Sequence, residues 1–398
     1  MSLTDALGSL TGPVSAPTTL RRAKTYDLMA LEDVPQRAWA DLAERALDPN
    51  PFYDPAWARA VSAYARGRTG AQALVVWDST TRQRMIGLLP VKSSWQSLKL
   101  PLPMLVAWQP YAPLATPLLH ADAPDDAIHG LLDAAVAAGA RALLVPFVTQ
   151  GTTSLALRGA LTERGIHPRM MHAHTRAYLD ARNDAEPMLR EALGAKKLKE
   201  LRRQRSRLAD DGDVTFAVAE DPADVAIALD AFLTLESLGW KGSIGTALAQ
   251  HDGDTRFIRQ AALALAEQGR FGVARLMRGD ATIAAGLVVR QGRRACFFKI
   301  AYDETLAKFS PGVQLTLELT RHFCADPRVD GVDSTADANH PMIDHIWRDR
   351  MAIADVFIPT RHGDWIAPLA RHMVAAERQA RVLVRPLIHR LRSLGASA

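Results

Sequence analysis

The order of apolar and polar positions divides the chain into short strands and amphipathic helices. Residues 73–78 and 85–92 are β-rich apolar runs on either side of Ser79-Thr80-Thr81, which predicts a hairpin. A proline-rich, aromatic passage at 100–119 follows. Residues 125–138 carry apolar side chains at helical spacing, and 141–148 is a continuous apolar run expected inside a sheet. Helices are predicted over 222–238 and 255–267, the second followed by Gly269 where a C-cap glycine belongs. Three strand patterns come next, 271–277, 281–290 and 293–302. The turns between them, Arg278-Gly279-Asp280 and Gln291-Gly292, predict an antiparallel meander. Beyond a polar loop at 303–309, the pattern predicts a helix from Pro311 to about Phe323 and a short strand at 329–333. Residues 366–394 read as a basic helix broken near Pro386. Strands mixed with helices imply an α/β (α+β) layer fold.

A chain of 398 residues can bury a sizeable core and is long enough for two or three domains. Its two cysteines, Cys296 and Cys324, lie inside apolar runs and suit a reducing compartment, so a cytoplasmic location is expected. The first residues lack the basic and apolar regions of a signal peptide, and 1–23 reads as a flexible tail. No run reaches the roughly 18 apolar residues of a membrane span. The net charge of +5 is modest and would suit a polyanionic small molecule as well as nucleic acid. Residues 196–207, KKLKELRRQRSR, set seven basic side chains around a face formed by Leu198, Leu201 and Leu208. Without an aromatic platform or zinc-ligand spacing, this run reads as a solvated linker helix, which argues against nucleic acid as partner.

The sharpest local signal is Ser310-Pro311-Gly312-Val313-Gln314. Ser310 suits an N-cap, Pro311 suits the first helical position, and Gly312 leaves backbone N–H groups uncovered. Such a helix start can hold a diphosphate through its unpaired N–H groups and macrodipole, and Lys308 adds a formal charge beside it. The order of meander, phosphate-competent turn, helix and strand resembles the GNAT acyltransferase core. Residues 175–359 are more closely similar to the CelD/BcsL branch, associated with cellulose and exopolysaccharide biosynthesis and related to the FemABX transferases. The residues that carry this likeness are Leu235-Glu236, Trp240-Lys241-Gly242, the 299–303 strand end, Ser310-Pro311-Gly312, Asp333 and Trp347. Asn50-Pro51-Phe52-Tyr53, Trp57, Gly87-Leu88-Leu89-Pro90 and Thr116-Pro117-Leu118-Leu119 extend it to the first half. Many family members have a Tyr-Lys pair where this chain has Pro341-Met342-Ile343-Asp344-His345, so no role of that lysine carries over.

The resemblance implies two tandem GNAT-like domains, each a mixed, mostly antiparallel sheet flanked by helices. The expected boundaries are an N-terminal domain at 24–190, a basic linker helix at 191–212, an acyl-CoA-binding domain at 213–362 and a helical extension at 363–398. It also implies acetyl-CoA or another acyl-CoA as co-substrate. The pantetheine arm would add like a strand beside 297–302, taking in Phe298, Lys299, Ile300 and Ala301, with the diphosphate on the helix that starts at Pro311. The corresponding helix of the first half starts at Pro124-Asp125-Asp126, whose carboxylates would repel a diphosphate.

Direct transfer to an amine or hydroxyl needs a proton acceptor and oxyanion donors. Asp333 is the first candidate base, with a turn or cap aspartate as the alternative reading. His340 has a suitable intrinsic pKa. Lys241, beside Trp240, could hold an anionic group, and Tyr302 could protonate the departing thiolate. No zinc or calcium ligand pattern occurs, and no metal is expected. The expected activity is an N- or O-acyltransferase acting on a sugar, polysaccharide precursor or similar small metabolite. The competing readings are aminoacyl transfer from charged tRNA and a non-catalytic scaffold that uses its basic C-terminal helix on a membrane surface or partner.

Overall fold

The computed structural model describes residues 25–66, 70–108 and 110–395, with 381–395 described by backbone alone, so the tail expected at 1–23 lies outside the described residues. The first half contains β1 Thr25–Ala30, α1 Gln36–Glu44, α2 Pro55–Tyr64, β2 Gln72–Trp77, β3 Met85–Ser93, α3 Ser94–Leu98, β4 Met104–Ala107, β5 Leu118–Leu119, α4 Pro124–Ala137, β6 Ala142–Thr149, α5 Thr152–Glu163 and β7 Arg169–Asp180. The second contains α6 Ala185–Leu208, β8 Val214–Ala219, α7 Pro222–Leu238, α8 Trp240–Ser243, α9 Asp252–Ala266, β9 Phe271–Arg278, β10 Ala281–Gln291, β11 Arg294–Tyr302, α10 Pro311–Ala325, β12 Gly331–Asp333, α11 Ile343–Ile346, β13 Asp349–Pro359 and α12 Ile366–Gly395.

One plan is used twice. β2, β3 and β4 run antiparallel, and α4 then carries the chain to β6, parallel to β4. β9, β10 and β11 repeat the meander, and α10 leads to β12, parallel to β11. The two units share a single sheet of order β1-β2-β3-β4-β6-β13-β7-β12-β11-β10-β9-β8. They also exchange strands: β7, from the first half, pairs with β12, while β13, from the second, pairs with β6 and β7.

Apolar spacing explains how the helices cover the sheet. Val225, Ala228, Leu229, Phe232, Leu233 and Glu236 form the buried stripe of α7, which begins with Asp221 accepting from the Ala223 N–H and Pro222 in the first turn. α7 and α9 share one core with Ala285, Leu287 and Val289 of β10. α10 and α6 pack on the opposite side with Ala284 and Val288. The leucines of the basic run, Leu198, Leu201 and Leu208, are buried as its spacing predicts, although the helix begins earlier and is interrupted at Gly194 (φ 75°, ψ 158°). The break expected near Pro386 is absent, and α12 runs through that position. A proline removes one N–H and crowds the preceding turn, which bends a helix more readily than it ends one. Among the described residues, no helix is long and apolar enough to cross a membrane.

Candidate active site

The feature that organises the site is a fork in the sheet. β12 is only three residues long and bridges β11 at Arg294–Cys296 and β7 at Tyr178–Asp180. Among the described residues, β11 beyond Cys296 keeps β10 on one side and has no strand partner on the other. Two carbonyls of this stretch are met by side chains instead. The Thr335 hydroxyl donates to Phe297 O at 2.8 Å, and Lys241 Nζ donates to Ile300 O at 2.9 Å. An open strand edge of this kind can take up an extended ligand through main-chain hydrogen bonds.

Where β11 ends, α10 begins. Asp303 caps the intervening 3-10 turn Glu304–Phe309 by accepting from the Thr305 N–H at 2.9 Å. The side-chain cap expected from Ser310 is not made. Ser310 takes the left-handed conformation (φ 53°, ψ 52°) as the chain reverses, and its carbonyl, not its hydroxyl, receives the Gln314 N–H at 3.0 Å. Gly312 brings the helix start close to β11, because a Cβ there would lie 3.2 Å from Tyr302 Cδ1. Val313 is half-buried, and Gln314 is buried with its amide donating to Leu201 O at 2.7 Å, so that side chain anchors α6. Gly312 and Val313 lie in the first turn, where N–H groups have no intrahelical acceptor. The first turn of α10 has no acidic residue, and Lys308 is exposed beside it with its ammonium 4.9 Å from the Phe309 ring centroid. α4, the equivalent helix, carries Asp125 and Asp126 in its first turn. The α10 start and the open β11 edge therefore suit a diphosphate followed by an extended arm.

A charge cluster lines the β11 edge. Glu236, on the buried stripe of α7, accepts from Lys299 Nζ at 2.8 Å and from the Leu248 N–H at 2.8 Å, and Lys241 Nζ lies 3.7 Å from it. Burial first, and then the charge of Lys299, lower the pKa of Lys241 to about 8, with Glu236 opposing the shift. Trp240 is half exposed, with Lys241 Nζ 5.9 Å from its ring centroid, and its N–H donates to Glu304 at 2.7 Å. Leu235, Trp240, Lys241, Ala301 and Tyr302 line one small pocket.

Asp333 and His340 have other partners. Asp333 is fully buried at the crotch of the fork, ion-paired with buried Arg176 and accepting from the Thr335 N–H at 2.8 Å. Arg176 also donates to Pro113 O at 3.0 Å. His340 Nδ1 accepts from the N–H groups of Met342 and Ile343 at 3.3 and 3.4 Å, which makes it the cap of the turn before α11. Trp347, one of the residues that carry the family likeness, is buried with its indole N–H donating to Thr320 at 2.9 Å.

Reading the sequence assigned no role to Glu236 and overlooked Arg176 and His174. His174 lies on β7, has a buried ring nitrogen without a hydrogen-bond partner among the described residues, and stands 5.4 Å from the His172 ring. Burial, then His172 and Arg176, hold its pKa below the ordinary value. The alternation His172, His174, Arg176 on a single strand was the available signal, since residues two apart share a face.

Residues 195–340 match the acetyltransferase (GNAT) domain family. No curated protein matches the chain. Among solved structures, the C-terminal DUF2156 domain of a protein described as a lysylphosphatidylglycerol synthetase from Agrobacterium fabrum superposes with a TM-score of 0.53, at 14% identity over 85% of this chain and 95% of that one. FemX superposes at 0.49, with 10% identity over 83% and 96% of the two chains. A tandem GNAT protein from the clavulanic acid biosynthesis pathway superposes at 0.38, with 15% identity over 85% and 100%. The fold is a mixed α/β sheet flanked by helices in which one strand plan is used twice, and the second copy of that plan lies within residues 195–340, the part of the chain that matches the acetyltransferase (GNAT) domain family.

Proposed function

We propose that this chain is an acyltransferase that moves an acyl group directly from a coenzyme A thioester, acetyl-CoA or a longer homologue, to an amine or hydroxyl of a sugar, polysaccharide precursor or similar small metabolite. The observation that carries this reading is the parting of β11 from β12 beside the acid-free start of α10. The edge at 297–302 would pair with the amide-bearing arm, and the Gly312 and Val313 N–H groups, helped by Lys308, would hold the diphosphate. In this reading the thioester carbonyl would lie near Ile300 and Lys241. With a pKa of about 8, Lys241 is neutral in roughly a tenth of molecules at pH 7 and can take the proton of the attacking acceptor. The carbon–sulfur bond then breaks, and Tyr302, at the end of β11, is the candidate proton donor to the thiolate. Asp333 acts as a positioning residue, because its pairing with Arg176 fixes where the fork opens.

Calorimetric titration of coenzyme A and acetyl-CoA into the wild type and Ser310→Asp tests this reading. A carboxylate beside a helix N-terminus is favourable and aspartate tolerates the left-handed region, so the variant should fold as stably as the wild type. Its carboxylate would meet the diphosphate, and affinity should fall at least about tenfold. Absence of acyl-CoA binding to the wild type, together with transfer that depends on charged tRNA, would overturn the proposal.

A further inference from the structure

A second cavity, of about 300 Å³, lies between the α5–β7 turn, the end of β13 and the start of α12. Phe357, Pro359 and Ala367 form its apolar floor, and Arg169, Arg361 and Arg371 with His167 and His362 form its walls. Among the described residues, none of these three arginines has a hydrogen-bond or ion-pair partner. That sets them apart from Arg182, Arg293 and Arg328, which each hold a neighbouring carboxylate. Asp364 is the single carboxylate in the lining, and it is already engaged by Arg141 and by the Ile366 N–H at 2.9 Å. Gly165 is left-handed (φ 66°), and a Cβ there would touch His362 at 3.4 Å.

Three guanidinium groups without a carboxylate partner line one cavity, and their planar donors match phosphate oxygens. We propose that this cavity binds a phosphate-bearing ligand, with the phosphate between Arg169, Arg361 and Arg371 and a compact organic group on the Phe357 floor. It is built from elements other than the β11 edge and α10, so it stands independently of the thioester site. The phosphate can belong to a soluble metabolite or to a lipid headgroup. Trp365 and Leu369, exposed at 74% and 52% on the adjoining turn and helix, would meet the bilayer in the second case.

The test uses the full chain. Inorganic pyrophosphate is titrated at low salt, and flotation is measured with phosphatidylglycerol–phosphatidylcholine vesicles against phosphatidylcholine alone. The variants are Arg169→Gln/Arg361→Gln, the exposed control Arg158→Gln, and Ser310→Asp, each checked for folding by circular dichroism. Pyrophosphate binding that weakens at least about tenfold in the double variant, but not in Arg158→Gln or Ser310→Asp, assigns the cavity to a soluble phosphate ligand. Flotation with the anionic vesicles alone, lost in the same double variant, assigns it to a lipid headgroup. Binding of neither probe, or binding unchanged in the double variant, overturns the proposal.

Discussion

Replacing Asp333 with asparagine separates a structural role from a catalytic one at the fork. The carboxylate is fully buried and Arg176 is 2% exposed, so the substitution leaves a guanidinium inside the protein without its counter-charge. Removing one member of a buried ion pair costs about 3–5 kcal/mol. Two contacts soften the loss: Pro113 O still accepts from Arg176, and the asparagine oxygen can still accept from the Thr335 N–H. The lower end, about 3 kcal/mol, is therefore expected, a large share of the roughly 5–15 kcal/mol that holds a folded domain together. Urea unfolding of the wild type, Asp333→Asn, Arg176→Met and the double variant measures the coupling between the two side chains, which should exceed about 2 kcal/mol. Turnover at saturating substrate, measured well below the unfolding temperature, should stay within about tenfold of wild type. A loss of stability below about 1 kcal/mol, accompanied by a thousandfold fall in turnover, would refute this reasoning and make Asp333 the general base.

Other expectations concern the strand edge and its supports. If neutral Lys241 is the proton acceptor, the transfer rate should climb with pH and level off above about 8, and Lys241→Arg should abolish that profile. Glu236 stabilises the cationic form of Lys241, so Glu236→Gln should move the midpoint below the wild-type value; an unchanged midpoint in the pH–rate profile would count against the pairing. Ser310→Asp should keep the melting temperature, its carboxylate facing the positive end of α10, while weakening coenzyme A binding, a combination that overpacking or unfolding would not give. Gly331→Ala puts a Cβ 1.7 Å from the Tyr178 hydroxyl, and the forced shift of the Tyr178 ring or of β12 should cost about 1–3 kcal/mol in denaturant unfolding.

Periodicity made the second half the more legible one. The spacing of Val225, Leu229, Phe232 and Leu233 and the two short turns of the meander specify α7 and β9 to β11 closely, because each strand or helix signals through its own neighbours. Ser310-Pro311-Gly312 located the start of α10, but the sequence could not reveal that Ser310 turns left-handed and leaves its hydroxyl out of the cap. What stayed hidden depends on long-range pairing. Arg176 and Asp333 are 157 residues apart, and nothing local marks either as half of a buried ion pair. The exchange of β7 and β13 is equally invisible, because a strand pattern states its period and burial without naming its neighbour.

The repeated plan raises the question of why one fork should bind a thioester when there are two. β4 and β6 pair over Met104–Val106 and Ala142–Leu144, as β11 and β12 do, and could part in the same way. In the first half the proline-rich, aromatic passage fills that place. The Ala115 N–H donates to Phe147 O at 3.3 Å, the Thr149 N–H donates to the Thr116 hydroxyl at 3.2 Å, and the Tyr53 hydroxyl donates to Trp108 O at 2.7 Å. The loop thus packs into this fork through hydrogen bonds that run in both directions, and Asp125 and Asp126 add negative charge at the start of the equivalent helix. Arg176 joins the two arrangements, holding Pro113 O of the filled fork with one nitrogen and Asp333 of the open fork with another. Packing of Trp57 against Phe298 at 4.9 Å and Phe257 at 5.2 Å, and pairing of Arg270 with Asp54, bind the same two halves on the adjoining face. The filled fork therefore serves as a wall for the open one. A chain cut after residue 190 would lose β13 and β12 from the flanks of β7, exposing both edges of a twelve-residue strand, and should aggregate instead of folding as an independent domain.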